Sequence, residues 1–264
     1  MPHPFRVASV SFLNAKPLIE GLDRDPDVRL SLAVPSKLLD ALRDGSADVA
    51  LLPVIDYQRL AGLSILPAGG IGSDGPTLTV RIFSRVPVDQ IRALACDPDS
   101  HTSVALARII LARRYHLRPE FRDLSRAIDV EDPHQARLLI GDKVVCDEPA
   151  GFPHQLDLGA EWKALTGLPF VFATWMARGD VPDLPRLYDI LEQAKHRGLA
   201  AIDDVISAHA HPRGWPADLA RRYLTQHLRF DVGERELEAI RTFHAFAAEE
   251  GVIDPPRPLV VAGR

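Results

Sequence analysis

Short apolar runs alternate with helical segments in the first third of the chain, and this alternation limits the fold more than any other feature of the sequence. The runs Phe5–Val10, Val28–Val34 and Val49–Leu52 have the length and composition of buried strands. A helix is predicted before the third run, with Ser36 as its cap and Gly45 at its end. Because strands that alternate with helices form largely parallel sheets, the sequence predicts an α/β fold.

Two longer apolar strands organise the rest of the chain. Thr77–Ser84 follows a Gly-rich turn, and Phe170–Met176 returns after a middle section that has its own strand–helix pattern. Two strands that enclose such a section predict a discontinuous protein of two lobes with a two-strand hinge. We expect residues 1–80 and 176–264 to form the first lobe and residues 81–175 the second. Helical spacing of apolar residues predicts a helical C-terminal section, with helices at Leu184–Ala201, Ala217–His227 and Glu234–Glu249.

Composition and charge argue against several classes of protein. The chain has 264 residues, 46% of them hydrophobic, a net charge of −5 and no block of Lys or Arg, so nucleic acid is not an expected partner. Neither a signal-peptide pattern nor an apolar run of membrane-spanning length is present, and we expect a cytoplasmic protein with no membrane partner. Cys96 and Cys146 lack the spacing of metal ligands, so reduced thiols and no metal site are expected.

The first strand ends in a corner that carries candidate functional groups. Ser11 and Asn14 lie between this strand and a short helix that Pro17 is predicted to begin. At the carboxyl end of a strand, their side chains and the free backbone N–H groups can face the crevice in which α/β folds bind ligands. The alternative is that one of the two residues only caps the helix, and the corner alone favours this alternative.

A second group of candidates lies in the densest turn signal of the chain, at residues 69–76. We predict a loop here, at which the chain crosses between the lobes. Ser73, Asp74 and Gly75 can face a substrate in this loop. They can equally form an ordinary solvated turn in which Asp74 accepts hydrogen bonds from its own backbone.

A third group opens the amphipathic segment Val104–Tyr115. Ser100, Thr102 and Ser103 cluster at the predicted helix start, where free backbone N–H groups and the positive end of the helix dipole favour a carboxylate or a phosphate. Capping of the helix by Asp99 or Ser100 is compatible with anion binding. We therefore predict both roles for this helix start.

Eight motifs follow one another along the chain: Ser11-Phe12-Leu13-Asn14 with Pro17, Pro35-Ser36, Asp48–Pro53, Ser73–Pro76, Ser100–Ser103, Leu139–Asp142, Asp157–Trp162 and Thr166–Ala173. In this order they resemble the chorismate dehydratase family, which carries out the first step of the futalosine route to menaquinone. The resemblance covers roughly residues 5–178. Phe12, where the family commonly has Tyr, and Arg81, in a strand that is more often apolar, depart from the pattern.

The resemblance implies the two-lobed fold of type II periplasmic binding proteins, used as a cytoplasmic lyase without a redox or metal cofactor. The implied substrate is chorismate, which loses its C3 proton and C4 hydroxyl to give 3-[(1-carboxyvinyl)oxy]benzoate and water. A neutral pocket rich in hydrogen-bond donors suits this dianion and the charge that spreads over it. On this basis the expected catalytic residues are Asn14 and Ser11, and the expected substrate-binding residues are Ser73, Asp74, Gly75, Ser100, Thr102, Ser103 and Asp142.

The group that removes the C3 proton stays open at this point. His101, Asp74 and Asp142 are the titratable side chains predicted near the cleft, the last because it follows the predicted strand Ala136–Ile140. None of them has a partner visible in the sequence that would tune it as a base. The alternative is the enolpyruvyl carboxylate of the substrate itself, with Asn14 orienting the reacting groups.

Three other functions compete with this interpretation. A non-catalytic binding protein for a small organic anion would be expected to carry an export signal. The effector domain of a transcription regulator would need room for a DNA-binding helix pair before the first strand. The 1,4-dihydroxy-6-naphthoate synthase of the same route shares the fold, and the motif Ser11–Asn14 speaks against it.

Overall fold

The computed structural model describes residues 3–97, 100–124 and 135–262. Its strands are, in chain order, β1 (Phe5–Ser9), β2 (Val28–Leu32), β3 (Val49–Pro53), β4 (Leu63–Ser73), β5 (Val80–Ser84), β6 (Ala93–Cys96), β7 (Glu120–Asp123), β8 (Gln135–Ile140), β9 (His154–Asp157), β10 (Phe170–Arg178) and β11 (Leu228–Arg229). The α-helices are α1 (Pro35–Arg43), α2 (His101–Tyr115), α3 (Lys143–Cys146), α4 (Leu158–Thr166), α5 (Leu184–Ala200), α6 (Ile202–His209), α7 (Ala217–Arg222) and α8 (Glu234–Glu249). Two 3₁₀ turns, Leu13–Leu18 and Val54–Arg59, and a π-helical turn, Tyr223–His227, also bear on the site.

The strands form two sheets, one in each lobe. The first sheet has the order β11-β4-β10-β3-β1-β2, and the second has the order β7-β6-β8-β5-β9. In the first sheet β1 pairs in parallel with β2 and β3, as the early strand–helix alternation predicts, and the other pairings are antiparallel. In the second sheet β6 pairs in parallel with β7 and β8, whereas β5 is antiparallel to both of its neighbours. The two sheets are therefore mixed, and each has three parallel strands at one edge.

The predicted loop at residues 69–76 is wrong over its first half, because residues 69–73 continue the eleven-residue strand β4. The glycines there allow a close approach of neighbouring backbone. A Cβ on Gly70 would lie 2.7 Å from the carbonyl oxygen of Ala173, and one on Gly72 would lie 2.7 Å from that of Phe170. Glycine in this strand thus serves packing between strands, a role that glycine has besides turns.

The chain crosses between the sheets twice, first at residues 74–79 and again from the second sheet through α4 into β10. β5 lies wholly in the second sheet. β10 pairs with β3 and β4 over nearly its whole length, so the boundary expected between residues 175 and 176 falls inside a strand of the first sheet. The expectation that residues 77–84 and 170–176 act as hinge strands stays a prediction.

One carboxylate ties the two crossings together. Asp157 caps α4 by accepting from the N–H groups of Gly159 and Ala160 at 3.0 and 3.1 Å. The same carboxylate accepts from the N–H groups of Thr77 and Leu78 in the other crossing, at 3.0 and 2.8 Å. Arg81 lies beside it, 3.7 Å from the Asp157 carboxylate, and bonds Gln155 on the neighbouring strand β9.

Two of the predicted helix starts need correction. α1 begins at Pro35 with Val34 at the cap position, so Ser36 is not the cap, although Gly45 follows the helix end with a φ of +77° as predicted. Pro17 lies inside the Leu13–Leu18 turn rather than at its start. In the C-terminal section α5 and α8 agree with the predicted helices, whereas the helix predicted at Ala217–His227 ends as the π-helical turn.

Candidate active site

A cleft of about 660 Å³, part of it open to solvent, lies between the two sheets. The carboxyl ends of β1 and β3, the loop before β5 and the start of α2 contribute to its walls. Its lining residues are mostly apolar and, among the residues that the structure describes, include no Lys, Arg, Asp or Glu. The polar lining groups are Asn14, Thr77, Thr79, Ser100, His101, Thr102, Ser103 and Tyr223.

The Leu13–Leu18 turn places Asn14 in the cleft wall. The Oδ1 atom of Asn14 is buried and has no hydrogen-bond partner among the described residues. The Asn14 side chain lies near the Tyr223 hydroxyl; burial raises the pKa of this phenol, and Asn14 opposes that shift. Oδ1 is therefore left as a buried acceptor, which is costly unless a ligand supplies a donor.

Tyr223 lines the cleft beside Asn14. It is 1% exposed, its hydroxyl lies 2.8 Å from Oγ1 of Thr79, and its ring stacks on Trp215 at 4.9 Å. Burial raises the pKa of Tyr223, which keeps the phenol neutral. The π-helical turn at the end of α7 brings this side chain to the cleft. Such turns occur frequently at functional sites.

The start of α2 forms the opposite wall. Ser100 occupies the cap position, but its side chain makes no capping hydrogen bond, and its Oγ is buried without a partner among the described residues. Oγ1 of Thr102 accepts from the N–H of Ile55 at 3.3 Å, which links this helix to the first lobe. Ser103 also lines the cleft. Ser100 therefore holds the predicted cap position but does not cap the helix with its side chain. Asp99 lies outside the described residues.

His101, the first residue of α2, is paired with a buried carboxylate from the other lobe. Its Nδ1 lies 3.0 Å from both oxygens of Asp56, whose side chain is fully buried in the Val54–Arg59 turn. Arg59 bonds the same carboxylate at 2.9 Å. The imidazole remains 23% exposed and lines the cleft. An imidazole oriented by a carboxylate in this way is suited to proton transfer.

Asp142 lies at the rim of the cleft and contacts the first lobe. Its Oδ1 accepts from the indole N–H of Trp215 at 2.9 Å, and Arg213 lies 3.8 Å away. Burial raises the pKa of Asp142, and the hydrogen bond from Trp215 and the charge of Arg213 oppose that shift. Desolvation by burial lowers the pKa of the neighbouring Lys16. This carboxylate therefore connects the lobes, and the neighbouring Gly141 lines the cleft.

Besides Asp142, four of the expected site residues lie outside the cleft lining. Ser11 is exposed, and its carbonyl accepts from Arg213 at 2.9 Å. Ser73 and Gly75 pack against the start of α4, where a Cβ on Gly159 would meet both. Asp74 forms ion pairs with Lys163 and Arg235, and the hydrogen bond from Lys163 lowers its pKa. These residues lie outside the lining because β4 continues to residue 73 and the cleft begins with Thr77, although Oγ of Ser73 is buried without a hydrogen-bond partner among the described residues.

Sequence reasoning missed two groups at this site. Asp56 lies 45 residues before His101, and Tyr223 lies 144 residues after Thr79, so their pairings depend on the tertiary fold. The motif around Asp48–Pro53 ends just before Asp56 and indicates that this segment reaches the crevice. No comparable signal marks Tyr223.

The described residues contain no cluster of three or more His, Cys, Asp or Glu side chains that could hold a metal ion. Within the same ranges, none of the helices has both the length and the apolar character needed to cross a membrane.

Comparison with known proteins gives one family and one fold. The model of a family described as menaquinone biosynthesis matches residues 5–249. A chorismate dehydratase from Thermus thermophilus is 26% identical over 257 residues, which cover 91% of this chain and 94% of that protein.

Solved structures agree on the fold. A protein from Archaeoglobus fulgidus superposes with a TM-score of 0.74 at 17% identity, over 95% of this chain and 99% of that chain. The periplasmic aliphatic sulphonate binding protein of Escherichia coli gives 0.67 at 15% identity, over 100% and 95%. A Candida albicans protein described as having the generic periplasmic binding protein fold gives 0.68 at 13% identity, over 97% and 92%. The predicted periplasmic-binding-protein-like α/β fold is therefore confirmed.

Proposed function

The chain belongs to the menaquinone biosynthesis family, as its motifs predict, and from this premise we propose that it is a chorismate dehydratase. The proposed reaction converts chorismate to 3-[(1-carboxyvinyl)oxy]benzoate and water, which makes the protein a hydro-lyase. The relative from Thermus thermophilus that bears this name aligns over 91% of the chain. A cytoplasmic location fits a biosynthetic enzyme of this kind and belongs to the same proposal.

The observation that carries the proposal is the pair of buried polar atoms without partners in the cleft. Oδ1 of Asn14 and Oγ of Ser100 belong to two residues of a cleft lining that is otherwise largely apolar. A buried polar atom without a partner in a folded protein needs an explanation, and inside a cleft a ligand that completes its hydrogen bonds is one. The acceptor suits a hydroxyl on the ligand, and the donor suits a carboxylate, and chorismate has both groups.

The start of α2 is the proposed site for a substrate carboxylate. Oγ of Ser100 and Oγ of Ser103 can donate to it, together with the first backbone N–H groups of the helix. The positive end of the helix dipole adds a favourable field without a cationic side chain. Binding of the second carboxylate is not assigned to a residue.

Asn14 is the proposed catalytic residue that holds the C4 hydroxyl. Its free Oδ1 can accept from that hydroxyl. The position of the hydroxyl relative to the C3 proton is then fixed, which is the main requirement of an elimination in which two bonds break at neighbouring carbons.

The enolpyruvyl carboxylate of the substrate is the proposed acceptor of the C3 proton. It lies close to C3 through the ether oxygen, and none of the lining residues that the structure describes is an Asp or a Glu. Charge from loss of the C3 proton spreads into the ring carboxylate, where the donors of the cleft stabilise it. Formation of the aromatic ring then favours expulsion of water.

Incubation with chorismate tests the proposal. We expect loss of chorismate and growth of a product of the mass of 3-[(1-carboxyvinyl)oxy]benzoate, followed by absorbance and mass spectrometry. An Asn14→Ala variant serves as the negative control. Binding of chorismate without any turnover would favour a small-anion binding protein, the activity named for the sulphonate-binding protein with the same fold.

A further inference from the structure

The pair formed by His101 and Asp56 has no role in the proposed reaction as described above. The carboxylate is fully buried and meets Nδ1 of the imidazole at 3.0 Å. A ring nitrogen hydrogen-bonded to a carboxylate carries its proton, so Nδ1 is a donor in this pair. Nε2 has no hydrogen-bond partner among the described residues, on a ring that lines the cleft.

Dehydration requires a proton for the oxygen that leaves C4, because hydroxide is a poor leaving group. Oδ1 of Asn14 has no proton and can only accept. Thr79 shares a hydrogen bond with Tyr223, a buried phenol that stays neutral, and the Ser and Thr hydroxyls of the cleft do not release protons near neutral pH. Of the lining side chains that the structure describes, the imidazole of His101 is the one of a chemical type that commonly serves as a general acid.

We propose that His101 is the general acid that protonates the departing C4 hydroxyl, and that Asp56 is its positioning residue. This inference rests on the proposed function. In the step, the C3–H bond breaks and its proton passes to the enolpyruvyl carboxylate, while the electron pair forms the new ring double bond. The C4–O bond breaks, the oxygen keeps its electron pair and takes the proton of Nε2, and water leaves. The product carboxylic acid then loses its proton to solvent, and the neutral imidazole regains one.

Asp56 serves the step in two ways. It fixes the orientation of the ring and stabilises the imidazolium form, as a buried carboxylate does for a histidine. Arg59 donates to the same carboxylate. The imidazole therefore contacts an anion, Asp56, that is itself paired with a cation. Asp56 belongs to the first lobe and His101 to the second. The acid is therefore assembled only when the lobes are together.

The test compares kinetics of wild type, His101→Gln and Asp56→Asn on chorismate over a range of pH. General acid catalysis typically contributes about a hundredfold to ten-thousandfold, so His101→Gln should lose kcat by that factor with KM changed little. In wild type, kcat should fall as rising pH removes the imidazolium proton. This alkaline limb should be absent in His101→Gln and should move to lower pH in Asp56→Asn. His196→Gln, on the exposed side of α5, is the matched control and should behave as wild type.

A further measurement separates chemistry from folding. Added imidazole should restore part of the kcat of His101→Ala in a concentration-dependent way, which a purely structural role does not predict. Because His101 is partly exposed, we expect its variants to fold, and they test the inference even if Asp56→Asn fails to fold. Wild type that converts chorismate, with His101→Gln within threefold of it and the alkaline limb unchanged, would overturn this inference alone. Wild type that leaves chorismate unchanged would overturn the proposed function and the inference with it.

Discussion

The orientation of a single amide decides what the cleft offers to a ligand. The acceptor oxygen of Asn14 is buried in the cleft wall and has no hydrogen-bond partner among the described residues. An acceptor at this position attracts a hydroxyl and disfavours a carboxylate, which brings no donor. In the proposed reaction, Asn14 would therefore bind the leaving hydroxyl and the start of α2 would bind the carboxylate.

Replacement of Asn14 by Ala should therefore act on turnover more than on binding. Loss of one oriented group in such a site typically costs on the order of a hundredfold to a thousandfold in rate. We expect kcat of Asn14→Ala to fall by that factor in steady-state assays with chorismate, while KM rises less. Ser46→Ala, remote and exposed, is the control. A near-normal kcat in Asn14→Ala would remove this residue from the mechanism.

His244 is a buried residue whose effect should appear in stability. It is 1% exposed; its Nδ1 lies 3.0 Å from Nε2 of Gln58, and its Nε2 lies 2.9 Å from the carbonyl oxygen of Val54. A carbonyl can only accept, so Nε2 carries the proton and Nδ1 accepts from the Gln58 amide. The neutral ring thus holds the turn that carries Asp56.

Stability should fall as pH falls because of this residue. Burial lowers the pKa of His244 from 6.5 to about 4, so between these values the unfolded chain binds more protons than the folded one. The difference corresponds to about 3 kcal/mol, lost progressively as pH drops from 6.5 to 4. Urea denaturation at several pH values should show a shallower loss for His244→Gln than for wild type. Parallel pH curves for the two proteins would contradict the prediction.

At the scale of single residues, the sequence predicted some residues of the candidate site and not others. Asn14, Ser100, Thr102 and Ser103 could be predicted because each follows a strand or opens a helix, and local pattern shows such places. Asp56 could not be assigned, since nothing local marks a carboxylate that meets a histidine 45 residues away. The site role of Asn14 and of the residues at α2 stays a prediction.

For strands and helices too, the sequence predicts what local pattern determines and misses what tertiary contacts determine. Most strands and the helices α2, α5 and α8 agree with the apolar periodicity within a few residues. From the sequence, the glycines of β4 predict a turn. The sequence does not reveal that a Cβ on Gly70 or Gly72 would lie 2.7 Å from a carbonyl oxygen of β10. Glycine has both roles, and only the partner strand distinguishes them.

Substitutions at the start of α2 should affect substrate binding. Hydrogen bonds to a charged group are worth about 1.5–3 kcal/mol each, so loss of a hydroxyl there should weaken substrate binding roughly tenfold to a hundredfold. We expect Ser103→Ala to raise KM by such a factor with a small change in stability. Thr102→Val should raise KM and also lower stability, because Oγ1 of Thr102 accepts from Ile55 in the other lobe. Kinetics and thermal melting of both variants give the comparison, and an unchanged KM in both would exclude the helix start as the anion site.

At the scale of the whole molecule, the two lobes are joined twice covalently and several times by polar contacts. Asp157 accepts hydrogen bonds from backbone N–H groups of both crossings. The rings of Trp162, Phe170 and Phe243 pack edge to face where α4, β10 and α8 meet. The sequence predicted two lobes from two long apolar strands. It could not place the boundary, because periodicity describes a strand and not the sheet to which the strand pairs.

Contacts across the cleft are of a different kind, since they depend on how far the lobes are closed. His101 meets Asp56, Thr102 meets Ile55, and Asp142 meets the indole of Trp215. Each contact joins a residue of the second lobe to the first by one polar interaction at the edge of the site. Such contacts are few compared with the buried packing around the crossings, so opening should cost far less than unfolding.

Closure should therefore be driven by ligand. A ligand held by Asn14 in one lobe and by the start of α2 in the other binds only the closed form well, and it shifts the population by that difference in affinity. Solution scattering should show a smaller radius of gyration on saturation with a substrate or product analogue, approaching the value of about 18 Å that is typical of a compact chain of this length. Asp142→Ala removes one contact that favours closure, so it should enlarge the free protein and raise KM while leaving the saturated radius close to that of wild type. If ligand changes the radius in neither protein, the lobes do not open in solution and the polar contacts across the cleft are permanent.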